Sequence, residues 1–450
     1  MSSLLQSTSY LLVIVFLTYV AFILVPYLKL QATPPGDPAQ FLWHALIPCR
    51  DEESVIGDTI ATARATFPQM HIWVIDDDSD DETAAIVESL AGSDPMVHLV
   101  RRVRPHARTG KGPALNAGYG AVSAWLPHPI DRSRVIVAVL DADGELSGNA
   151  LAAVSADTRF ADPRVGAVQL AVRMKNRDES NPLPGKGRIA NAFSSWLLRM
   201  QDVEFRTVIL AMQSLRSKTG TVGMGGNGQF TRLSVLDAIT ETYGSPWHGS
   251  LLEDYELGLH VIFAGYQNRQ VHDSHVSQEA VPTLSRLTTQ RARWGQGVMQ
   301  CMRYLPTILR SRFFDSTGVL EAGYYLLLPV IQLVGYAIFL SLLGSQMLGI
   351  AYDRALRELW WSNLGGMSIL VLLFGIGPFA IWGFVYKLRC EPDLSWRRAT
   401  LIGVTLWPYQ LYVAAALAKA VYRLALGRNG WSKTLRAADT KNAGTIAIEA

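Results

Sequence analysis

Four charged clusters follow one another along this 450-residue chain: Asp76-Asp77-Asp78-Ser79, Asp141-Ala142-Asp143, Glu253-Asp254 and Gln290-Arg291-Ala292-Arg293-Trp294. The first follows the apolar run 71–75, where a carboxylate can accept hydrogen bonds from ribose hydroxyls or a base N–H. The same acids also suit the start of a helix near Glu82. Asp141 and Asp143 end the apolar run 134–140. Two carboxylates one residue apart can bind a divalent cation such as Mg2+ or Mn2+, hard ions that prefer oxygen, and such a cation neutralises a departing diphosphate. The alternative is a solvated Asp-Gly turn. Glu253 and Asp254 open a helical stretch among leucines. They are either favourable charge at a helix start or a base that takes the proton of an acceptor hydroxyl. Gln290, Arg293 and Trp294, at i, i+3 and i+4, share one helical face. There a guanidinium grips phosphate, an amide adds a hydrogen bond and an indole offers a flat plate to a sugar ring. The same face also suits an amphipathic helix at a membrane surface.

Smaller signals accompany these. Lys111, in Gly110-Lys111-Gly112, is a phosphate candidate at a glycine-rich entry to a helix, although the spacing is not that of a P-loop. Gly226 and Asn227, in the stretch 225–230, read either as a close approach to an acceptor or as a plain loop. His272 and His275 read as surface residues rather than metal ligands.

Elements must place these groups. Between about 40 and 300 strands alternate with helices, the pattern of an open α/β sheet covered on both faces. Ligands of such sheets sit beyond the carboxyl ends of the strands, where the Asp76 and Asp141 clusters fall. The run 134–140 is unbroken and apolar, as in a buried parallel strand. Residues 173–190 and 436–450 read as irregular. Hydrophobic residues make up 49% of the chain, which points to a soluble unit joined to a membrane part. The run 9–28 is charge-free and, at ~1.5 Å per residue, long enough for a bilayer. Charge-free stretches return at 322–352, 359–386 and 400–418, the last interrupted by Pro408; whether it crosses or lies in the interface is left open by its basic flanks. The division expected is an anchor over 1–30, a catalytic unit over 40–280, interface helices over 281–318, membrane or interfacial helices over 319–422 and a tail over 423–450. Net charge is only +3, so nucleic acid is not an expected partner. Cys49, Cys301 and Cys390 are far apart and suggest neither disulfides nor zinc.

In order and content the motifs resemble those of membrane-embedded family 2 glycosyltransferases, the group of cellulose, chitin and hyaluronan synthases. "IDDDSDDET" is similar to the family's nucleotide-binding Asp-Asp motif, "GKGPALNAG" to its lysine loop, "DADG" to its Asp-x-Asp, "LLEDYELG" to its Glu-Asp and "QRARWGQG" to its Gln-x-x-Arg-Trp. The resemblance implies a GT-A (Rossmann-like) catalytic domain inserted between transmembrane helices. It implies Asp76 and Asp77 at a uridine, Lys111, Asp141, Gln290 and Arg293 along the sugar diphosphate, Asp141 and Asp143 at Mg2+ or Mn2+, and Asp254 beside Glu253 as the base. Trp294, with Gly226 and Asn227, would meet the acceptor. "WSKTLR" is similar to a gating segment and would give Trp431, Thr434 and Arg436 that role. Leu252 stands where the family has Thr, and "GGNGQFTR" differs from its commonest acceptor motif.

The activity so implied is inverting transfer from a UDP-sugar, with UDP-glucose the best match, into a β-linked polysaccharide. The protein would be multi-pass in the plasma (inner) membrane with its catalytic domain cytosolic. Two alternatives stand beside it: addition of one sugar to a lipid-linked acceptor drawn from the bilayer, and a receptor that binds a nucleotide sugar without turning it over.

Overall fold

The computed structural model describes residues 2–428. Eight strands form one sheet: β1 Leu42–Cys49, β2 Met70–Asp77, β3 Val97–Arg102, β4 Val135–Val139, β5 Glu145–Leu146, β6 Val165–Met174, β7 Gln229–Arg232 and β8 Gln267–Gln278. Their order is β3-β2-β1-β4-β7-β6-β8-β5. The half from β3 to β4 is parallel, joined by crossover helices. Its strands are apolar along their length because both faces are covered: Trp43, Ala45 and Ile47 enter one core, while Leu46, Trp73 and Ile75 enter the other.

The second half is mixed rather than parallel. β7 runs antiparallel to both β4 and β6, so β4 is parallel to its neighbour on one side only. Gly225–Phe230 is not a plain loop either. It leads straight into β7, whose four residues are all buried in mid-sheet. Three polar or basic residues, Gln229, Thr231 and Arg232, hide this strand from a hydropathy pattern. Arg232 is buried because its guanidinium donates to the carbonyls of Val165 (2.8 Å) and Ser133 (2.6 Å). The result is the mixed, curled sheet of a GT-A domain.

Helices outside the sheet carry the rest. Arg188–Val203, a π-helical turn Glu204–Ile209 and Leu210–Thr219 follow one another without a break. The helix Leu284–Cys301 starts where the Thr283 hydroxyl caps the Arg286 N–H. Among the described residues four helices are long and apolar enough to cross a membrane: Leu4–Leu28, Ser316–Tyr352, Leu364–Arg389 and Trp396–Ala425. The last is two helices, Trp396–Tyr409 and Tyr412–Ala425, broken just after Pro408. Its first half packs tightly on Gly377–Arg389, where a Cβ at Gly403 would lie 2.2 Å from the Ala380 carbonyl oxygen. Its second half lies along Leu284–Cys301 instead, with Lys419 donating to Thr289 at 2.9 Å and Arg423 to Gln296 at 3.0 Å. The interruption foreseen at Pro408 is therefore the point where the chain turns from Gly377–Arg389 to Leu284–Cys301.

Candidate active site

Asp141 and Asp143 follow β4 directly. The ladder runs on past the strand, with Leu140 N–H on the Leu46 carbonyl at 3.0 Å, so both carboxylates leave a rigid edge. The loop before β7 closes over them. Asn227 is its pivot: its Oδ1 accepts from the Asp141 N–H at 3.2 Å and its Nδ2 donates to Gln278 at 3.0 Å. Gln169, a buried amide in the apolar strand β6, holds the same loop by donating to the Asn227 carbonyl (2.8 Å) and accepting from the Gly225 N–H (2.7 Å).

Lys111 begins the helix Lys111–Trp125, entered through Gly110 at φ +135°, a backbone angle that favours glycine. Its Nζ donates to Asp141 Oδ1 at 2.6 Å and to the Gly226 carbonyl at 2.7 Å. Gly226 is where three distant motifs meet. A Cβ there would lie 2.9 Å from Lys111 Nζ and 3.2 Å from Asp254 Oδ2.

Glu253 and Asp254 occupy the first turn of the helix Glu253–Phe263. The Leu284–Cys301 helix presses on the backbone just before them: a Cβ at Gly297 would lie 2.7 Å from Leu252 N, and Gln300 accepts from the Leu251 N–H at 2.8 Å. Leu252 thus fills a packing position against that helix. Burial pushes the Asp254 carboxyl up to about 7, helped by the neighbouring Glu253 charge and opposed by Lys111 and Arg293. Burial raises Glu253 too. The acids are only part-exposed, with protein packed behind them and the cavity in front. A helix start favours ionised acids, but here enclosure outweighs it. Burial alone would lower the Lys111 ammonium, and the carboxylates of Asp141, Glu253 and Asp254 hold it raised instead.

These groups surround a cavity of about 360 Å3. Lys111, Asp141, Asp143, Gly226, Asn227, Glu253, Asp254, Gln290, Arg293 and Trp294 all line it. Arg293 Nε has no hydrogen-bond partner among the described residues. Trp294 is held by its neighbours, the Arg291 guanidinium lying 4.1 Å from its ring centroid and Phe205 meeting it edge-on.

Asp76 and Asp77 are not on the cavity wall, which departs from expectation. They end β2, where Arg102 binds Asp77 and the Ser79 N–H reaches Asp76 at 3.3 Å. Ser79 in turn accepts from the Asp51 N–H at 3.0 Å, so this acidic loop backs the turn whose Glu52 does line the cavity. Trp431, Thr434 and Arg436 lie outside the described residues.

The structure adds groups that the motifs did not mark. Glu279 donates its N–H to Asp143 Oδ2 at 2.9 Å, and Lys175 Nζ donates to the Asp143 carbonyl at 3.2 Å. Gln169 gave a readable signal, a polar residue breaking an apolar strand; Lys175 and Glu279 lie in polar stretches and gave none. Apolar side chains share the cavity wall: Phe205, Ile209, Leu210 and Met212 line it, with Tyr325 of the Ser316–Tyr352 helix.

The sequence pattern of a family described as "Glycosyltransferase like family 2" matches residues 41–297, more than half of the chain. Among characterised proteins, the chain is similar to the beta-monoglucosyldiacylglycerol synthase of Synechocystis sp., 26% identical over 411 residues, covering 88% of this chain and 75% of that protein. It is also similar to the poly-beta-1,6-N-acetyl-D-glucosamine synthase of Staphylococcus epidermidis, 26% identical over 263 residues, 56% of this chain and 53% of that one. Among solved structures, the mannosyltransferase PcManGT from Pyrobaculum calidifontis, in complex with GDP-Man and Mn2+, superposes with a TM-score of 0.56 at 19% identity, covering 93% of this chain and 97% of that chain. The matched segment holds the whole sheet and the cavity lining from Glu52 to Trp294, and the chain therefore belongs to the glycosyltransferase like family 2.

Proposed function

We propose that this protein transfers one sugar from a nucleotide sugar, best matched by UDP-glucose, to the hydroxyl of a membrane lipid such as a diacylglycerol. The observation that carries the reading is the composition of the cavity. Lys111, Asp141, Asp143, Asp254 and Arg293 share its lining with Phe205, Ile209, Leu210 and Met212, and with Tyr325 from a helix long and apolar enough to cross a membrane. A diphosphate suits the charged groups, and a lipid hydroxyl arriving from the bilayer suits the apolar ones.

Asp254 is the proposed base. Its raised carboxyl still ionises near neutrality, which suits a group that must take and release a proton. The acceptor oxygen, as its proton passes to Asp254, attacks the anomeric carbon. The bond from that carbon to the diphosphate breaks on the opposite face, and the configuration inverts. Lys111 and Arg293 balance charge on the departing diphosphate, Gln290 adds a hydrogen bond and Trp294 supports the acceptor. The acidic loop of Asp76 and Asp77, which backs the turn of Glu52 at the cavity wall, is assigned to the nucleoside side of the donor. Asp141 and Asp143 offer two hard oxygen ligands, and no group of three or more His, Cys, Asp or Glu is gathered as a metal cage among the described residues. That fits Mg2+ or Mn2+, which use one or two carboxylates and complete their shell on substrate phosphates. Such an ion, when bound, supplies further neutralisation of the leaving group.

The likeness over 88% of the chain to a protein named as a glucosyldiacylglycerol synthase supports the lipid acceptor. The likeness to a poly-N-acetylglucosamine synthase keeps a processive β-glucan or other exopolysaccharide as the second reading. The proposed setting is the inner membrane with the catalytic unit on the cytosolic side, where nucleotide sugars are available. The test is full-length protein in nanodiscs containing diacylglycerol, offered UDP-glucose, UDP-galactose, UDP-N-acetylglucosamine and UDP-glucuronate with Mg2+ or Mn2+. UDP release together with a one-sugar lipid by mass spectrometry is the expected result. A high polymer without added lipid acceptor would replace the first reading by the second. No nucleotide release from any donor would leave only the binding-receptor reading.

A further inference from the structure

A second cavity, of about 700 Å3, lies where the first membrane helix meets the catalytic unit. Val25, Pro26 and Leu30 give it one apolar wall, the first two from the spanning helix Leu4–Leu28. Lys29, Arg159, Lys218, Arg269 and His272 give it another, and no acidic side chain lines it. The catalytic machinery uses none of these residues.

The cations are built in and undercompensated. Arg159 is only 9% exposed. Its Nη1 donates to Thr158 Oγ1 at 2.8 Å, while its Nε has no partner. Gln270, equally buried on the same wall, donates Nε2 to the Val271 carbonyl at 2.8 Å and leaves Oε1 unpartnered. Arg269 donates to Gln267. Among the described residues none of Lys29, Arg159, Lys218 and Arg269 forms an ion pair. The nearest acids are already engaged: Asp273 accepts the Thr33 N–H at 2.8 Å and Asp162 holds Arg164 at 2.8 Å. His272 is tied to the Gln31 carbonyl at 2.8 Å. A buried guanidinium short of partners is costly unless an anion completes it.

We propose that this cavity binds the phosphate of an anionic membrane phospholipid, with the acyl chains lying along the first membrane helix. The cationic wall suits a phosphodiester and the Val25–Pro26 wall suits hydrocarbon. Their junction falls at the end of a spanning helix, where headgroups sit. A free phosphate would use only the cations and leave the apolar wall wet. The helix Leu210–Thr219 presents Ser214, Ser217 and Lys218 here and Leu210, Met212 and Gln213 to the catalytic cavity, and Gln270 lines both. The lipid would therefore press on an element shared with the proposed active site.

The experiment is native mass spectrometry of the delipidated full chain in detergent, titrated with phosphatidylglycerol, phosphatidylcholine or inorganic phosphate. The wild type is expected to retain one phosphatidylglycerol with at least about tenfold preference over phosphatidylcholine, equivalent to ~1.4 kcal/mol. Arg159→Gln should abolish that preference. Because Arg159 is buried, the more accessible double variant Lys218→Gln/Arg269→Gln carries the same test, with its thermal midpoint and UDP binding unchanged as evidence of folding. Equal retention of the two lipids by the wild type, or undiminished preference in the double variant, overturns the proposal. So does binding of phosphate alone without selection between lipids. None of these readouts depends on sugar transfer, so the lipid site and the proposed reaction can fail separately.

Discussion

Asp202 and Asp254 are both enclosed acids, each close to arginines, and the protein treats them in opposite ways. Asp202, on the junction between the catalytic unit and the membrane helices, has no exposed surface. It accepts from the Met174 N–H at 2.9 Å, the Tyr386 hydroxyl at 2.6 Å and Arg206 at 3.2 Å. Glu204 and Glu321 are treated alike: Arg291 (2.8 Å) and Tyr409 (2.7 Å) serve the first, Arg216 (2.7 Å) and Thr221 (2.5 Å) the second. Asp254 accepts one hydrogen bond among the described residues, from the Tyr255 N–H at 2.7 Å. An acid whose lone pairs are filled has nothing left to offer a substrate and fixes helices to one another. An acid left short of donors is strained toward its protonated form and open to a new partner. Partner count separates Asp254 from Asp202, Glu204 and Glu321 better than burial does.

The comparison is broken most directly by removing each acid. Asp254→Asn should lower transfer by about 10²–10⁴-fold, the usual cost of a positioned base. UDP binding should survive, because Lys111, Gln290 and Arg293 remain. UDP release at saturating donor and acceptor reads the loss, and a wild-type rate would show that Asp254 is not the base. Asp202→Ala should do the reverse. It strands Arg206 and Tyr386, and breaking one side of a buried pair commonly costs about 3–5 kcal/mol. A fall in thermal midpoint is expected, with turnover per folded molecule close to wild type. Equal thermal midpoints for Asp202→Ala and Asp254→Asn would abolish the distinction.

Gly226→Ala sharpens the same contrast on a smaller scale. The added methyl would crowd Lys111 Nζ at 2.9 Å and Asp254 Oδ2 at 3.2 Å, and the lysine is the more mobile. A displacement of about 1 Å can cost up to about 10²-fold in rate. We expect a rise in donor KM together with a fall in kcat, at nearly unchanged stability because the loop is anchored through Asn227 and Gln169. A variant indistinguishable from wild type would mean that Lys111 takes another position when substrate binds.

Much of this was legible in the chain. Strands β1, β2 and β4 are continuous apolar runs, and their carboxyl ends placed Asp76 and Asp141 correctly in the fold. Motif order leads us to expect Asp77, Asp143, Asp254 and Arg293 in one cleft; the last three line one cavity and Asp77 does not. What stayed hidden is the mixed half of the sheet. β7 is buried although it carries Gln229, Thr231 and Arg232, and the Arg232 guanidinium is satisfied by backbone carbonyls, a compensation that no periodicity records. The site residues Lys175 and Glu279 were hidden for a related reason, since each reaches Asp143 only through the register of β6 with β8. The tie of Asp77 to Arg102 depends on β2 pairing with β3, which the acidic motif alone does not reveal.

The mildest test is titration, and it bears on the two carboxylates of the site against the filled ones of the junction. Asp254 must be ionised to accept a proton, and its carboxyl is raised to about 7. Turnover should therefore fall about tenfold per pH unit below that value and level off above it. The same shift has a stability consequence of definite sign. A carboxyl raised in the folded state binds its proton more tightly there than in the unfolded chain. Its stabilising contribution is whole below the ordinary value of 3.8 and is lost as pH rises through about 7. Wild-type protein should accordingly lose thermal stability relative to Asp254→Asn across that window. Glu253→Gln removes the neighbouring negative charge that helps raise Asp254, so the acid limb of the rate profile should move to lower pH. Because the two acids titrate as a pair, an unmoved limb would show that enclosure alone sets the value. An Asp202 variant should leave the profile in place, since its acid faces the membrane helices and not the cavity.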